Sequence, residues 1–133
     1  MRRMSRSSET GAEVASSIPA TRPDLRGREI ELTPVRTLLE RIVERWKPRQ
    51  IWLFGSRARG DSQPSSDWDL LVVVPDEVED VDLDPLIGWR LQNEAHIQAD
   101  VIPCRASDFL EDRETRNTLA FEVATAGVLI YER

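Results

Sequence analysis

The sequence predicts one small domain of the α/β (α+β) class, a β-sheet flanked by helices, after a flexible N-terminal tail. A chain of 133 residues has the length of one domain. From residue 30 onwards, apolar runs of strand length alternate with segments of helical periodicity. Residues 1–29 are instead rich in Ser, Thr, Pro and Arg, and they bury too little apolar surface to offset their ordering entropy. We therefore predict a flexible basic tail at 1–29 and the folded domain at 30–133.

The helices are predicted from periodicity and from their end signals. The first begins at Thr33, an N-cap residue, with Pro34 in the first turn. Apolar residues then recur on one face as far as Trp46, and Pro48 stops the helix. The others are a short turn near 55–61, a helix at 85–95, and a helical region at 107–126 that is capped by Ser107 and broken near Arg113.

Four apolar runs predict the strands of the sheet. They lie at 51–54, 68–74, 97–102 and 128–131. Turn residues bound them: Gly55 follows the first, Pro75 ends the second, Pro103 closes the third and Gly127 precedes the last. Helices and strands thus alternate along the chain, which is typical of a small α/β or α+β domain.

The charge distribution argues against nucleic acid as a direct partner. The net charge is −6, with +3 on residues 1–28 and −9 on the rest of the chain. Binding to phosphate backbones needs clustered Lys and Arg, so an acidic body suits cations or a basic partner protein instead.

Three further observations bear on location. No apolar stretch reaches 18 residues, so no membrane span is expected. The single cysteine, Cys104, cannot form an internal disulfide. The basic start of the chain is not followed by the apolar core of a secretory signal. We therefore expect a cytoplasmic protein.

The segment that joins the first two predicted strands carries a pattern with chemical meaning. Gly55-Ser56 follows one strand directly, and Asp67 and Asp69 flank Trp68 at the head of the next. Alternation along a strand puts both carboxylates on one side, where a cation such as Mg²⁺ would relieve their repulsion. A glycine at a helix start lets a phosphate approach the backbone and its free amides.

Other residues can complete such a site. Ser56 offers a hydroxyl, and Arg57 or Arg59 offers a positive charge for the outer phosphates. Asp100 lies in the third predicted strand, and its carboxylate joins the other two acids if this strand neighbours the second. Three acids can hold two metal ions, which clamp the attacking and leaving oxygens of an in-line displacement. Asp100 is then the candidate that helps remove the proton of the attacking hydroxyl.

These residues resemble the signature of the nucleotidyltransferase superfamily of DNA polymerase beta, and most closely its minimal nucleotidyltransferase (MNT) branch. The family pattern is Gly-Ser, ten residues, then Asp-x-Asp, with a third acid on a later strand; the matching positions here are Gly55, Ser56, Asp67, Asp69 and Asp100. The resemblance covers roughly residues 33–132. It implies a mixed β-sheet flanked by helices, two Mg²⁺ ions on the three acids, and ATP as substrate. The implied nucleotide-binding residues are Gly55, Ser56, Arg57 and Arg59.

The resemblance also implies a partner. MNT proteins commonly act as the antitoxin of HEPN–MNT toxin–antitoxin pairs. There they are similar to protein adenylyltransferases, which move AMP from ATP onto a tyrosine of the HEPN ribonuclease. A type VII-like antitoxin with a HEPN toxin encoded nearby is therefore our leading expectation, and the sequence is compatible with a homo-oligomer or a hetero-oligomer.

Two alternatives stay open. One is transfer to a small molecule, as in aminoglycoside nucleotidyltransferases, or to RNA ends. Such relatives usually add a helical acceptor-binding domain, and the sequence ends at Arg133 directly after the last predicted strand, which favours an acceptor supplied by another molecule. The other is a non-catalytic antitoxin that neutralises a toxin by binding, against which the intact acids argue.

Overall fold

The computed structural model describes residues 18–133. Its strands are β1 (Thr21–Pro23), β2 (Glu29–Glu31), β3 (Gln50–Phe54), β4 (Trp68–Val74), β5 (Ala99–Arg105) and β6 (Val128–Glu132). Its α-helices are α1 (Arg36–Trp46), α2 (Ser56–Arg59), α3 (Pro85–Glu94), α4 (Ala106–Asp112) and α5 (Leu119–Ala126), with 3-10 turns at Thr33–Val35 and Asp80–Leu83. None of the helices in residues 18–133 combines the length and the apolar character needed to cross a bilayer.

The central sheet has four strands in the order β5-β4-β3-β6. Strand β4 pairs antiparallel with β3 and parallel with β5, and β6 pairs antiparallel with β3. The predicted α+β class, with a mixed sheet flanked by helices, is confirmed. The parallel pair matters most for function, because it sets the starts of β4 and β5 side by side.

The core lies on both faces of β4, the most deeply buried strand. Leu70, Val72 and Val74 join the core cluster on the face covered by α1, whereas Leu71 and Val73 pack with Phe109 and the start of α5 on the other face. Alternate residues of a strand point to opposite faces. A strand buried on both faces therefore reads as a continuous apolar run, and that run made β4 recognisable in the sequence.

A β-hairpin that the sequence pattern did not predict precedes the first helix. Strands β1 and β2 pair antiparallel, and the turn between them lies against the end of α2. The Leu25 amide donates to the Ala58 carbonyl at 2.9 Å, and Arg28 Nη2 donates to the Gly60 carbonyl at 3.0 Å. Residues 18–29 belong to the part assigned to the tail, and the rest of that prediction, residues 1–17, lies outside the described residues.

The third central strand differs from its prediction. It was expected at 97–102 and closed by Pro103, but β5 runs from Ala99 to Arg105. Gln98 accepts a hydrogen bond from the Trp68 amide of β4 at 3.1 Å, so the two-residue period turns the backbone of Pro103 away from β4. At the outer side of an edge strand, a proline removes no ladder hydrogen bond.

Helix α3 covers part of the same outer edge. Gly88 packs so close to β5 that a Cβ at this position would lie 2.7 Å from the Val101 carbonyl oxygen. That carbonyl points away from β4, as the period of the strand requires. Glycine is therefore the residue that lets α3 lie directly over the edge of the sheet.

Two predicted helix caps were wrong, while the break in the last helical region is confirmed. The first 3-10 turn follows Leu32 as N-cap and has no side-chain cap, so Thr33 is its first residue and not its cap. Likewise α4 follows Arg105, and the Ser107 amide donates to Asp76 Oδ1 at 2.9 Å. A carboxylate from a distant loop thus satisfies an amide that the prediction assigned to a local cap.

Candidate active site at the start of strands β4 and β5

The structure brings the three predicted acids together. Register pairs Asp69 of β4 directly with Asp100 of β5. Burial raises the pKa of the Asp69 carboxyl first, and the negative charges of Asp100 and Asp67 raise it further. Asp69 is half-buried, whereas Asp67 and Asp100 are exposed. The three carboxylates therefore repel one another at a place that solvent and ligands can reach.

Gly55 lies against the Asp69 carboxylate. Its backbone has φ 78° and ψ −156°, a combination that is essentially restricted to glycine. A Cβ at this position would overlap Asp69 Oδ2 and lie 3.2 Å from Cγ. Both the backbone conformation and the close approach therefore require glycine at the end of β3.

Helix α2 begins immediately after Gly55 and is a single turn. The Ala58 and Arg59 amides donate to the Gly55 carbonyl at 3.1 and 3.0 Å, and Gly60, with φ 87°, ends the turn. Ser56 is the first residue of this turn and is half-buried. The Ser56 and Arg57 amides come before these two donors and have no intrahelical acceptor, so they are available to an anion beside Gly55.

Arg59 lies on the exposed side of this turn. Its Nε lies 3.3 Å from Asp61 Oδ2, and the two side chains keep 52% and 44% of their surface exposed. Arg59 is also close enough to Asp69 for its positive charge to oppose the rise of that carboxyl's pKa. A half-exposed ion pair contributes little to stability, so Arg59 can exchange Asp61 for a phosphate at small cost.

Arg57 is held differently from Arg59. Its guanidinium lies over the Trp68 ring, 4.2 Å from the ring centroid, and it donates to the carbonyls of Ser66 and Pro64. Burial lowers the pKa of the Arg57 guanidinium, and the nearby Asp67 charge opposes this shift. The predicted contact between Arg57 and phosphate stays a prediction.

The donor set fits Mg²⁺, although no ready-made cluster holds it. Among residues 18–133, no three His, Cys, Asp or Glu side chains are arranged to bind one ion by themselves. Magnesium commonly takes only one or two carboxylates and completes its shell with phosphate oxygens and water. The carboxylates that raise the pKa of Asp69 supply hard oxygen ligands, and a divalent cation would relieve their mutual repulsion.

Sequence reasoning missed two features around this site. The contact between Arg57 and Trp68 had a signal, because alternation places Trp68 on the face opposite to the acids. The β1–β2 turn also had one, since Pro23-Asp24 followed by Gly27 is typical turn chemistry. Neither signal says which distant residues the element contacts.

The match to a family model agrees with the reaction class that these residues suggest. A family model described as "Nucleotidyltransferase domain" matches residues 35–121, which is well over half of the chain and includes all three acids. No curated protein matches. Among solved structures, the chain is similar to "a putative nucleotidyltransferase from Sulfolobus solfataricus", at 17% identity and a TM-score of 0.49, over 100% of this chain and 93% of that one. On the family match, this chain belongs to the nucleotidyltransferase domain family.

Proposed function

We propose that this protein transfers AMP from ATP to a hydroxyl acceptor in a Mg²⁺-dependent reaction. The family sets the class of reaction, nucleotidyl transfer. The observation that carries the proposal is the register of Asp69 against Asp100, with Gly55 packed on the Asp69 carboxylate. This arrangement supports the proposal, because acidic oxygens lie next to the backbone turn that would accept phosphate.

The three acids would have two roles at the reacting phosphate, metal binding and proton removal. Asp67, Asp69 and Asp100 would hold two Mg²⁺ ions, which supply charge neutralisation at the triphosphate. Asp100 is exposed, so an acceptor hydroxyl can reach it, and its carboxylate would take the proton of that hydroxyl. The acceptor oxygen forms a bond to the α-phosphorus as the bond to pyrophosphate breaks.

The turn after β3 would hold the triphosphate. Gly55 has no side chain to block the phosphate, Ser56 offers its hydroxyl, and the Ser56 and Arg57 amides would donate to the anion. Arg59 adds a positive charge and needs only to release Asp61. These contacts orient the α-phosphate for in-line attack, which is where most of the rate of phosphoryl-type transfer originates.

We further propose that the acceptor is a tyrosine of a HEPN ribonuclease toxin, which makes this protein a type VII-like antitoxin. The resemblance to MNT antitoxins motivates this choice of partner. The net charge of −6 and the pI near 4.9 support it, because they favour contact with a basic protein over contact with nucleic acid.

A transfer assay tests the proposal. The purified protein is incubated with α-labelled ATP and Mg²⁺, with and without the protein encoded beside it. We expect label on a tyrosine of the neighbour. The Asp67→Asn variant should lose it, whereas Asp108→Asn should keep it. Asp108 is the matched control, since it is an exposed aspartate at the far end of β5 from Asp100.

The outcomes separate the three functions. Label on the neighbour that Asp67→Asn abolishes supports protein adenylylation. Label on aminoglycosides or RNA ends instead would keep the nucleotidyl transfer and overturn the toxin partner. If Asp67→Asn still neutralises the toxin in full, neutralisation occurs by binding and catalysis is not its mechanism.

A further inference from the structure

We infer that Arg57 is a positioning residue: it fixes the backbone on both sides of Asp67 and does not bind the phosphates of the nucleotide. The inference rests on the proposed function, because it assigns Arg57 a part in holding one of the proposed metal ligands. Its support is the set of contacts that the guanidinium makes with the chain before and after Asp67.

Before Asp67, the guanidinium binds a carbonyl of the peptide bond that Asp67 itself shares. Arg57 Nη2 and Nε donate to the Ser66 oxygen at 2.8 and 3.2 Å, and Nη2 also reaches the Pro64 oxygen at 3.3 Å. The Ser66 carbonyl and the Asp67 amide belong to one rigid plane. The two hydrogen bonds from the Arg57 guanidinium to the Ser66 oxygen therefore fix the direction of the backbone at Asp67.

After Asp67, the same guanidinium lies on the ring of Trp68. The distance to the ring centroid is 4.2 Å, and Trp68 keeps only 4% of its surface exposed. The Trp68 amide donates to the Gln98 carbonyl of the chain leading into β5. Asp67 thus lies between Ser66 and Trp68, and the Arg57 side chain contacts both. Trp68 is also hydrogen-bonded to the chain that leads into β5.

The loop that Arg57 holds is itself a closed turn. The Gln63 amide donates to Ser66 Oγ at 2.8 Å, and the Ser66 amide donates back to the Gln63 carbonyl at 2.9 Å. Arg57 joins this turn to α2 through its hydrogen bonds to the Ser66 and Pro64 carbonyls, so we expect its loss to free the turn and the aspartate that follows it.

Binding a phosphate would cost Arg57 these contacts. The guanidinium would have to leave two carbonyls and an aromatic face, whereas Arg59 would leave only one half-exposed carboxylate. Lysine cannot replace Arg57, because an ammonium has neither the planar fork nor the flat face that stacks on the ring. Arg57→Lys is therefore the sharpest substitution: it keeps the positive charge and removes the geometry.

Steady-state kinetics separate positioning from phosphate binding. For Arg57→Lys we expect kcat to fall and the Mg²⁺ concentration for half-maximal rate to rise, each about ten-fold, with KM for ATP within about two-fold at saturating Mg²⁺. Arg59→Gln should have the opposite effect: KM for ATP should rise, while kcat at saturating ATP and Mg²⁺ should change little. Arg41→Gln, which removes a surface ion pair with Glu94, should match the unmodified protein.

A second measurement does not depend on turnover. Mn²⁺ binding in the presence of ATP is followed by the paramagnetic relaxation of water, after circular dichroism has shown that each variant is folded. Arg57→Lys should weaken Mn²⁺ binding about ten-fold. The inference is overturned if Mn²⁺ affinity is unchanged, or if Arg57→Lys raises KM for ATP as much as Arg59→Gln does. If the unmodified protein binds Mn²⁺ but labels no acceptor, the proposed function fails and the Arg57 inference is still decided by this assay.

Discussion

The Asp69 carboxylate occupies the space into which a side chain at Gly55 would project. A Cβ there would overlap Asp69 Oδ2, and the backbone of Gly55 is in a region that L-residues avoid. The turn that would accept phosphate and the acid that would bind metal are therefore in contact before any ligand arrives. Replacing Gly55 by alanine would both strain the backbone and displace Asp69. The strain can be tested without the displacement at Gly27, which has a similar φ and no neighbour beside a built Cβ.

We predict that Gly55→Ala abolishes AMP transfer, whereas Gly27→Ala does not. Gly27 has φ 82° and no atom within 4 Å of a built Cβ, so alanine there meets only the backbone strain, about 1–2 kcal/mol. Alanine at Gly55 meets backbone strain in a conformation that is essentially restricted to glycine, and it also displaces Asp69. Urea denaturation of the two variants measures the stability difference, and the transfer assay measures the functional one. Activity retained by Gly55→Ala would refute the proposed role of this contact.

In the metal-free protein, the contribution of Asp69 to stability should fall as the pH rises past the ordinary pKa of aspartate. The pKa of Asp69 is raised from 3.8 by burial, by Asp100 and by Asp67, so the folded state holds this proton more tightly than the unfolded state does. The free energy of unfolding contributed by Asp69 therefore falls from about pH 3.8 upwards, until the pH passes the folded pKa. Asp100→Asn removes one cause of the shift and should flatten this fall.

The comparison with Asp100→Asn isolates the contribution of Asp69 from the pH dependence of the rest of the protein. We expect the two proteins to be equally stable near pH 3, where Asp69 is protonated in the folded and in the unfolded state, and the variant to become the more stable one towards about pH 7. The measurement is urea denaturation with EDTA at each pH. The same variant should lose transfer activity. A stability difference that does not grow with pH would contradict the raised pKa.

Cys104 should react slowly with thiol reagents in the folded protein. Burial, with smaller contributions from Asp108 and Asp112, raises the pKa of its thiol from 9.0 to about 11. Because the thiolate is the reactive form, labelling by Ellman's reagent at about pH 8 should be about 100-fold slower in the folded protein than in denaturant. Asp108→Asn should speed the folded-state reaction. Equal rates in the folded and denatured protein would show that the thiol is not protected.

The β1–β2 turn should stabilise the position of α2 through its hydrogen bonds to the end of that helix. Arg28→Ala removes the hydrogen bond to the Gly60 carbonyl, and we expect a loss of stability below about 1.5 kcal/mol together with a higher KM for ATP. Arg26→Ala is the matched control in the same turn, since its side chain donates no hydrogen bond among the described residues. Chemical denaturation and transfer kinetics measure both effects. The prediction fails if the two variants behave alike.

The sequence predicted the parts of this fold that carry long apolar patterns. The apolar run at 68–74 predicted β4, and the helical spacing of apolar residues from Val35 to Trp46 predicted α1. The candidate site was predicted from the same alternation, and the parallel register pairs Asp100 with Asp69. These features depend on local periodicity and on one correct neighbour relation between strands.

What escaped prediction depends on contacts between distant residues. Strands β1 and β2 have three residues each, too few for a pattern, and they are ordered by the β6 edge and by α2. Ser107 was expected to cap a helix, but its amide instead donates a hydrogen bond to the carboxylate of Asp76, which lies in another loop. Pro103 was taken as a strand end because the sequence does not say on which side of β5 the partner strand lies.

The two outer strands of the sheet have a consequence for how copies of this protein meet. An open edge invites a strand from a second molecule, which is a common route to aggregation. On β5, Pro103 offers no donor and Gly88 of α3 sits over the Val101 carbonyl; on β6, Arg22 Nε already binds the Leu129 carbonyl at 3.0 Å. An incoming strand would find one donor missing and one carbonyl covered on β5, and one carbonyl already bound on β6. We therefore expect concentrated preparations to resist amyloid-type stacking until β1 or α3 is detached.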